Sequence, residues 1–153
     1  MLIRGAREAS AIYAIAVALN YPWELLQSAL FTSPSHKGSV WLHCFGSSLG
    51  DGLMVLMIFA AGCVAFGRGD WFVLPGRRRY VFSVAAGAIL AVLVESIAVH
   101  VLQRWAYADS MPVIPGVALG IVPILQMMLL PPLIFLITAR LLHRPKRQIT
   151  VKP

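Results

Sequence analysis

Three carboxylates, Glu24, Asp51 and Glu95, stand inside stretches that are otherwise built from apolar residues. Near them in the same stretches are Asn20, Gln27, His43, Ser47 and Gln126, with the aromatic residues Trp23, Trp105 and Tyr107. Oxygen and imidazole donors of this kind suit a divalent cation, with Glu24, His43, Asp51 and Glu95 as the metal-ligating set. Their spacing follows no established metal motif. The same carboxyls, buried, would suit general acid–base chemistry on a lipid or isoprenoid, with Trp23 and Trp105 stabilising a developing cation through their ring faces. A nucleophilic serine is not expected, because no G-x-S-x-G occurs. Met54, Met57, Met127 and Met128 read as packing residues rather than soft ligands.

Spacing gathers these residues. His43, Ser47 and Asp51 recur every four residues and make one helical stripe, continued by Met54. Asn20, Glu24 and Gln27 share a second helical face. Pro22 among them removes a backbone donor and favours a kink. Gly50 and Gly52 flank Asp51 and would admit a neighbouring backbone or a ligand. Gly116 and Gly120 read as a small-residue packing face. His100 lies five residues beyond Glu95, about 140° around a helix, so it belongs at an interface with Gln103 and Arg104 rather than beside Glu95.

The elements that carry these groups are membrane spans. Of 153 residues, 59% are hydrophobic and 12% charged, too apolar for a soluble domain of this size. Stretches 10–31, 41–66, 80–102 and 116–142 each have the length and apolarity expected of a span. Breakers separate them: Ser33-Pro34-Ser35, Pro75-Gly76, and Pro112 with Pro115. The short connections make neighbouring helices antiparallel. The expected fold is therefore all-α, a four-helix transmembrane bundle in a single integral membrane domain. The start, with Arg4 and Arg7, resembles a signal peptide. Asn20, Pro22 and Glu24 interrupt its apolar run, however, and it reads as a retained first span.

The net charge of +7 comes from arginines and lysines in short runs between the apolar stretches. This excludes nucleic acid as the expected partner, which would need one basic soluble face. It sets orientation instead. With both termini and the second connection in the cytoplasm, eleven of the thirteen basic residues fall inside, leaving Lys37 and Arg104 outside. Trp41, Trp105 and Tyr107 then lie at the outer interface, and Trp71 and Tyr80 at the inner one. Glu24 and Glu95 come to lie about 10 Å below the outer surface, and Asp51 and Gln126 about 15 Å. Cys44 and Cys63, about 28 Å apart along one helix, cannot pair with each other.

The motifs Asn20-x-x-Trp23-Glu24-x-x-Gln27, His43-Cys44, Gly50-Asp51 and Glu95, followed by Trp105-Ala106-Tyr107, Met111-Pro112, Pro115-Gly116, Gly120, Pro123 and Gln126, resemble a group of small four-span bacterial inner-membrane proteins. The resemblance implies topology and location in the bacterial inner membrane, and no activity. Ala118-Leu119 stands where the group's pattern has a more glycine-rich turn.

The leading expectation is an outward-facing intramembrane site for a cation or polar head group, built from Asn20, Trp23, Glu24, Gln27, His43, Ser47, Asp51, Glu95, Trp105, Tyr107 and Gln126. The loop from Trp105 to Pro115 would cap it. Alternatives are the lipid-directed enzyme, a structural subunit of a membrane complex, a transporter or proton path, and polar groups that only lock the helices. Expected partners are membrane lipid and a second copy or complex subunit.

Overall fold

The computed structural model describes residues 2–32, 39–73 and 76–143. The Ser33-Pro34-Ser35 breaker, Lys37, Pro75, Arg144, Lys146, Arg147 and Lys152 lie outside the described residues. The chain is helical, with four long helices: α1 (Leu2–Gln27), α2 (Val40–Phe66), α3 (Arg77–Ser96) and α4 (Ile121–Leu142). A wider π-helical turn, Ile97–Val101, extends α3. Short strands β1 (Phe31–Thr32), β2 (Ala106–Tyr107), β3 (Val113–Ile114) and β4 (Leu119–Gly120) pair antiparallel as β1–β2 and β3–β4.

Three helices, Val40–Phe66, Arg77–Val101 and Ile121–Leu142, are long and apolar enough to cross a membrane. These are the helices of a membrane protein. α1 differs from these three helices in composition. Its 26 residues give a length of about 39 Å, but Arg7, Glu8, Asn20, Glu24 and Gln27 interrupt its apolar run. The helix continues through Pro22 to Gln27. The fourth span starts at Ile121 rather than at residue 116, because residues 113–120 turn back as a β-hairpin. Gly116 and Gly120 are therefore not a helical packing face. Gly116 takes a left-handed turn (φ +87°), and so does Ala118 (φ +52°), where a side chain is strained. The sequence resemblance expected glycine at this turn. Gly120 gives room to the Tyr107 ring, which lies 2.9 Å from where its Cβ would be.

α1 packs on α2 and α4, and α3 packs on α4 and α2. Contacts at both ends make neighbours antiparallel. Gln27, near the end of α1, meets Gln126, near the start of α4, while Glu8 at the start of α1 meets His143 just past α4. Buried positions recur every four residues: Glu8, Ile12, Ala16 and Asn20 on α1, and Ser83, Gly87, Ala91 and Glu95 on α3. Between the ends the core is apolar, with Ile12, Ala16, Val55, Ile58, Met127 and Ile134 enclosed.

Small residues set how closely the helices approach. A Cβ on Gly52 would lie 2.8 Å from the Tyr13 ring of α1. The closest approach is between α3 and α4. Pro131 has no N–H to give to the Met127 carbonyl one turn earlier. That carbonyl faces the Cα of Gly87, so closely that a methyl group there would overlap the oxygen. A Cα–H of glycine can serve a carbonyl left without its helical donor.

Trp71 is packed inside the protein, 1% exposed. The connection after α2 turns at left-handed Gly67 and inserts Trp71 among Phe66, Phe82 and Phe135, with ring centroids 5.1–5.6 Å away. Its indole N–H, which would be costly to bury unpaired, donates to the Phe59 carbonyl at 3.1 Å. Gly62 leaves the space for the ring. Tyr80, by contrast, is exposed as expected, and so is Trp41. Both cysteines are free thiols.

The Gly87 contact predicts that Gly87→Ala destabilises the protein by about 1–3 kcal/mol, the usual cost of overpacking. Gly50, exposed and with open space around its Cα, should gain up to about 1 kcal/mol as alanine, since glycine weakens a helix interior. Thermal unfolding of the two variants in detergent checks the opposite signs.

Candidate functional site

The polar residues of three helices meet at one end of the molecule, and Gln126 of α4 is at their centre. Its amide Nε2 donates to Asn20 Oδ1 at 2.8 Å, to Asp51 Oδ2 at 3.0 Å and to Glu24 Oε1 at 3.2 Å. Its Oε1 accepts from Gln27 Nε2 at 2.9 Å. Gln27 also donates to Glu24 Oε1 at 2.5 Å and accepts from the Trp23 indole at 3.2 Å. Asn20 Nδ2 turns back to the Ala16 carbonyl at 2.8 Å. Asn20, Gln27 and Gln126 are at most 5% exposed, and Glu24 and Asp51 are half-buried.

One geometric fact distinguishes this cluster from an ordinary amide pair. A primary amide nitrogen has two hydrogens. Here three oxygens, two of them carboxyl, converge on it. The nitrogen of Gln126 lies at the centre of an oxygen cage with more acceptor than donor capacity.

Glu95 belongs to an adjoining group. It is 6% exposed and accepts from the phenol of Tyr107 and, at 3.5 Å, from the indole of Trp105. The π-helical turn that follows redirects the chain so that Trp105 and Tyr107 return over Glu95. Pairing of β1 with β2 sets Phe31 opposite Tyr107, and Phe31 packs against both aromatic rings, 6.3 Å from Trp105 and 5.7 Å from Tyr107. The Ala108 N–H donates to the Leu30 carbonyl at 3.0 Å. The loop after α3 is thus tied to the end of α1, on the same side as the acids. The phenol of Tyr107 is pushed up from its usual value, first by burial and then by its hydrogen bond to Glu95.

The structure therefore brings together Asn20, Trp23, Glu24, Gln27, Asp51 and Gln126, and sets Glu95 with Trp105 and Tyr107 beside them. It leaves two of the expected residues at the margin. His43 is exposed near the start of α2, and Ser47 is half-buried one turn before Asp51 without entering the hydrogen bonds among the described residues. Among the described residues, no three His, Cys, Asp or Glu side chains are grouped as metal ligands. Glu24, His43, Asp51 and Glu95 are thus not gathered into one ligand set, because His43 lies two turns before Asp51 at the exposed end of its stripe, and Glu95 is held by its own aromatic donors. His100 is exposed and its Nε2 lies 3.2 Å from the Val117 carbonyl.

A further polar pair was not anticipated. Glu8, 3% exposed, lies 3.3 Å from His143 Nε2 at the opposite end, beside a small cavity lined by Arg7 and Leu142. The four-residue stripe that links Glu8 to Ile12, Ala16 and Asn20 is the signal that could have found it. Comparison with known protein families, with curated proteins and with solved structures finds no match.

Two predictions follow from these contacts. Gln126→Leu leaves buried oxygens on α1 and α2 without a donor and should cost about 1–3 kcal/mol, or more where the oxygen is charged. Ser47→Ala should stay within about 0.5 kcal/mol of the parent. Denaturant unfolding in detergent distinguishes them. Tyr107 has a raised folded value, so its contribution to stability is complete below about pH 10, the value of a free tyrosine, and is lost as pH rises further. Alkaline titration of phenolate absorbance should show one late-ionising tyrosine that disappears in Tyr107→Phe.

Proposed function

We propose that the protein is a multi-pass inner-membrane protein with both termini in the cytoplasm, and that its Glu24–Asp51–Gln126 cluster binds a small cation or the cationic part of a polar head group from the outer side. The observation that carries this reading is the convergence of Glu24 Oε1, Asp51 Oδ2 and Asn20 Oδ1 on one point 2.8–3.2 Å away, now taken by the Gln126 nitrogen. Carboxyl and amide oxygens turned toward one point are what a hard cation takes as ligands. Rotation of the Gln126 amide would withdraw its nitrogen and add a further oxygen. Glu24 and Asp51 would supply charge, Asn20 and Gln126 neutral oxygen. Gln27 would hold Glu24 in place.

The orientation is supported by charge. Arg68, Arg77, Arg78, Arg79 and Arg140 lie at the end opposite the acids, whereas Arg104 lies near them. Entry would be from the loop side, where Trp105, Tyr107 and Phe31 form a cap over Glu95. A second reading has its own observation: every polar side chain at the centre of the cluster has a partner, as in an interhelical lock. Such bonds are worth about 0.6 kcal/mol each on average in a membrane, a small return for placing two acids there.

Thermal unfolding of the detergent-purified protein across a series of monovalent and divalent chloride salts separates the readings. A cation held at the cage should raise stability by about 2.7 kcal/mol at a hundred times its dissociation constant, and Asp51→Asn or Glu24→Gln should abolish that rise. Unfolding that is indifferent to the cation in the parent protein, with loss of stability in both variants, would leave only the lock.

A further inference from the structure

A cavity lies between α3 and α4, at the end opposite the Glu24–Asp51–Gln126 cluster. It has a volume of about 440 Å³, within the range of small-molecule sites. Its walls are mostly apolar, with Trp71 and Phe72 at its base and Leu133 and Leu136 of α4 along one side. Arg79 and Ser83, one turn apart on α3, bring a guanidinium and a hydroxyl to it, with Tyr80 beside them.

Ser83 is unusual among the buried hydroxyls. Ser48 and Thr138 donate to carbonyls one turn back, at 2.7 and 2.8 Å, as helical hydroxyls commonly do. Ser83 is 2% exposed and has no hydrogen-bond partner among the described residues. It faces the cavity instead.

Charge at the cavity mouth is also unusual. α3 opens with Arg77, Arg78 and Arg79 and has no acidic residue in its first turn. A helix N-terminus is the positive end of the helix dipole, and its first N–H groups have no helical partner. Three arginines there add positive charge to that end, which favours an anionic ligand. The Arg79 guanidinium is kept at the cavity by the Phe66 ring, 5.8 Å from its centroid. A basic mouth, a buried hydroxyl below it and an apolar trough beyond match the order of phosphate, glycerol and acyl chain in a phospholipid. Basic pockets of this kind between membrane helices select anionic lipids.

We propose that the α3–α4 groove is a binding site for one anionic phospholipid. Its phosphate is held by Arg79 and the α3 N-terminus, its glycerol region reaches Ser83, and an acyl chain lies along Leu133 and Leu136. The site is independent of the acid cluster and needs only that the helices lie in a bilayer.

The test is native mass spectrometry and thermal unfolding of the full chain with added phosphatidylglycerol or phosphatidylcholine. The parent protein should retain phosphatidylglycerol in a one-to-one complex and gain stability from it, with at least tenfold weaker retention of phosphatidylcholine. Arg79→Gln should weaken phosphatidylglycerol retention about tenfold. Leu133→Trp, which fills the trough, should remove it while leaving the cation response unchanged. Arg77→Gln and Arg78→Gln change exposed side chains only and serve if Arg79→Gln does not fold; together they should weaken retention severalfold. Equal retention of the two lipids, retention unaffected by Leu133→Trp, or equal protection by inorganic phosphate alone would overturn the proposal.

Discussion

The side-chain amide of one residue, Gln126, joins three helices. In a bilayer interior every polar group must find its partner within the protein. A primary amide suits this place because it offers two N–H donors beside a carbonyl acceptor, where a hydroxyl has one donor and an ionised carboxylate none. Through Gln126, α4 donates to Asn20 and Glu24 of α1 and to Asp51 of α2, and accepts from Gln27 of α1. Each of those residues needs the others in register. A shift of α1 by one residue would turn Asn20 and Gln27 off the axis by about 100°. The amide thus fixes the relative rotation of the helices as well as their adjacency.

Close approach of the backbones makes this reach possible. Amide and carboxyl side chains on neighbouring helices meet at about 3 Å only if the helices themselves are near. Small residues at the interface provide that in membranes, where dispersion contacts replace the hydrophobic effect as the force between helices. Gly52 lies beside Tyr13 immediately after Asp51, and Gly87 lies against Met127 immediately after Gln126. The acid and the amide each have a close-packed contact as their chain neighbour. Pro131 adds to this. By withholding a donor from the Met127 carbonyl it directs an acceptor toward α3, and only a residue without a side chain can meet it.

Much of this was legible in the residues. Acids within apolar runs mark functional or paired positions, since their cost selects against accident. The period of 3.6 then places Asn20, Glu24 and Gln27 on one face. What could not be read was of two kinds. The first is tertiary insertion. Trp71 looks interfacial by composition, since nothing local says that Gly62 and three phenylalanines leave room for it. The second is competition for the same residue. His43 shares a stripe with Asp51, but the stripe leaves the protein interior within two turns. Glu95 faces the same end as the other acids, yet Trp105 and Tyr107 claim it first. The small-residue rule was applied to Gly116 and Gly120, which belong to a hairpin. It holds instead at Ser83, Gly87 and Ala91, where every fourth position of α3 is small and buried. Ala118 in a left-handed conformation explains why the expected glycine pattern was missed: the backbone keeps the turn, and the side chain bears the strain.

The two ends of the molecule are chemically opposite, and what lies between them constrains any function. Glu24, Asp51, Glu95 and three side-chain amides gather at one end, and most of the arginines at the other, where Glu8 is held beside His143. The intervening layer consists of Ile12, Ala16, Val55, Ile58, Met127, Leu130 and Ile134, all buried. Hydroxyls near this layer, Ser48 and Thr138, are already committed to helix carbonyls. A cation leaving the acid side would have to cross this apolar layer before it reached Glu8 and His143, and moving a bare ion into such a layer costs far more than any single contact returns. Within one chain the arrangement suits holding a ligand at one surface, not passing it through. Coupling between the ends would then have to be mechanical, carried by α4, which bears Gln126 near its start and lines the α3–α4 cavity from Leu129 onward. Pro131 and Pro132 follow at once, the place in α4 where lost backbone hydrogen bonds make bending least costly.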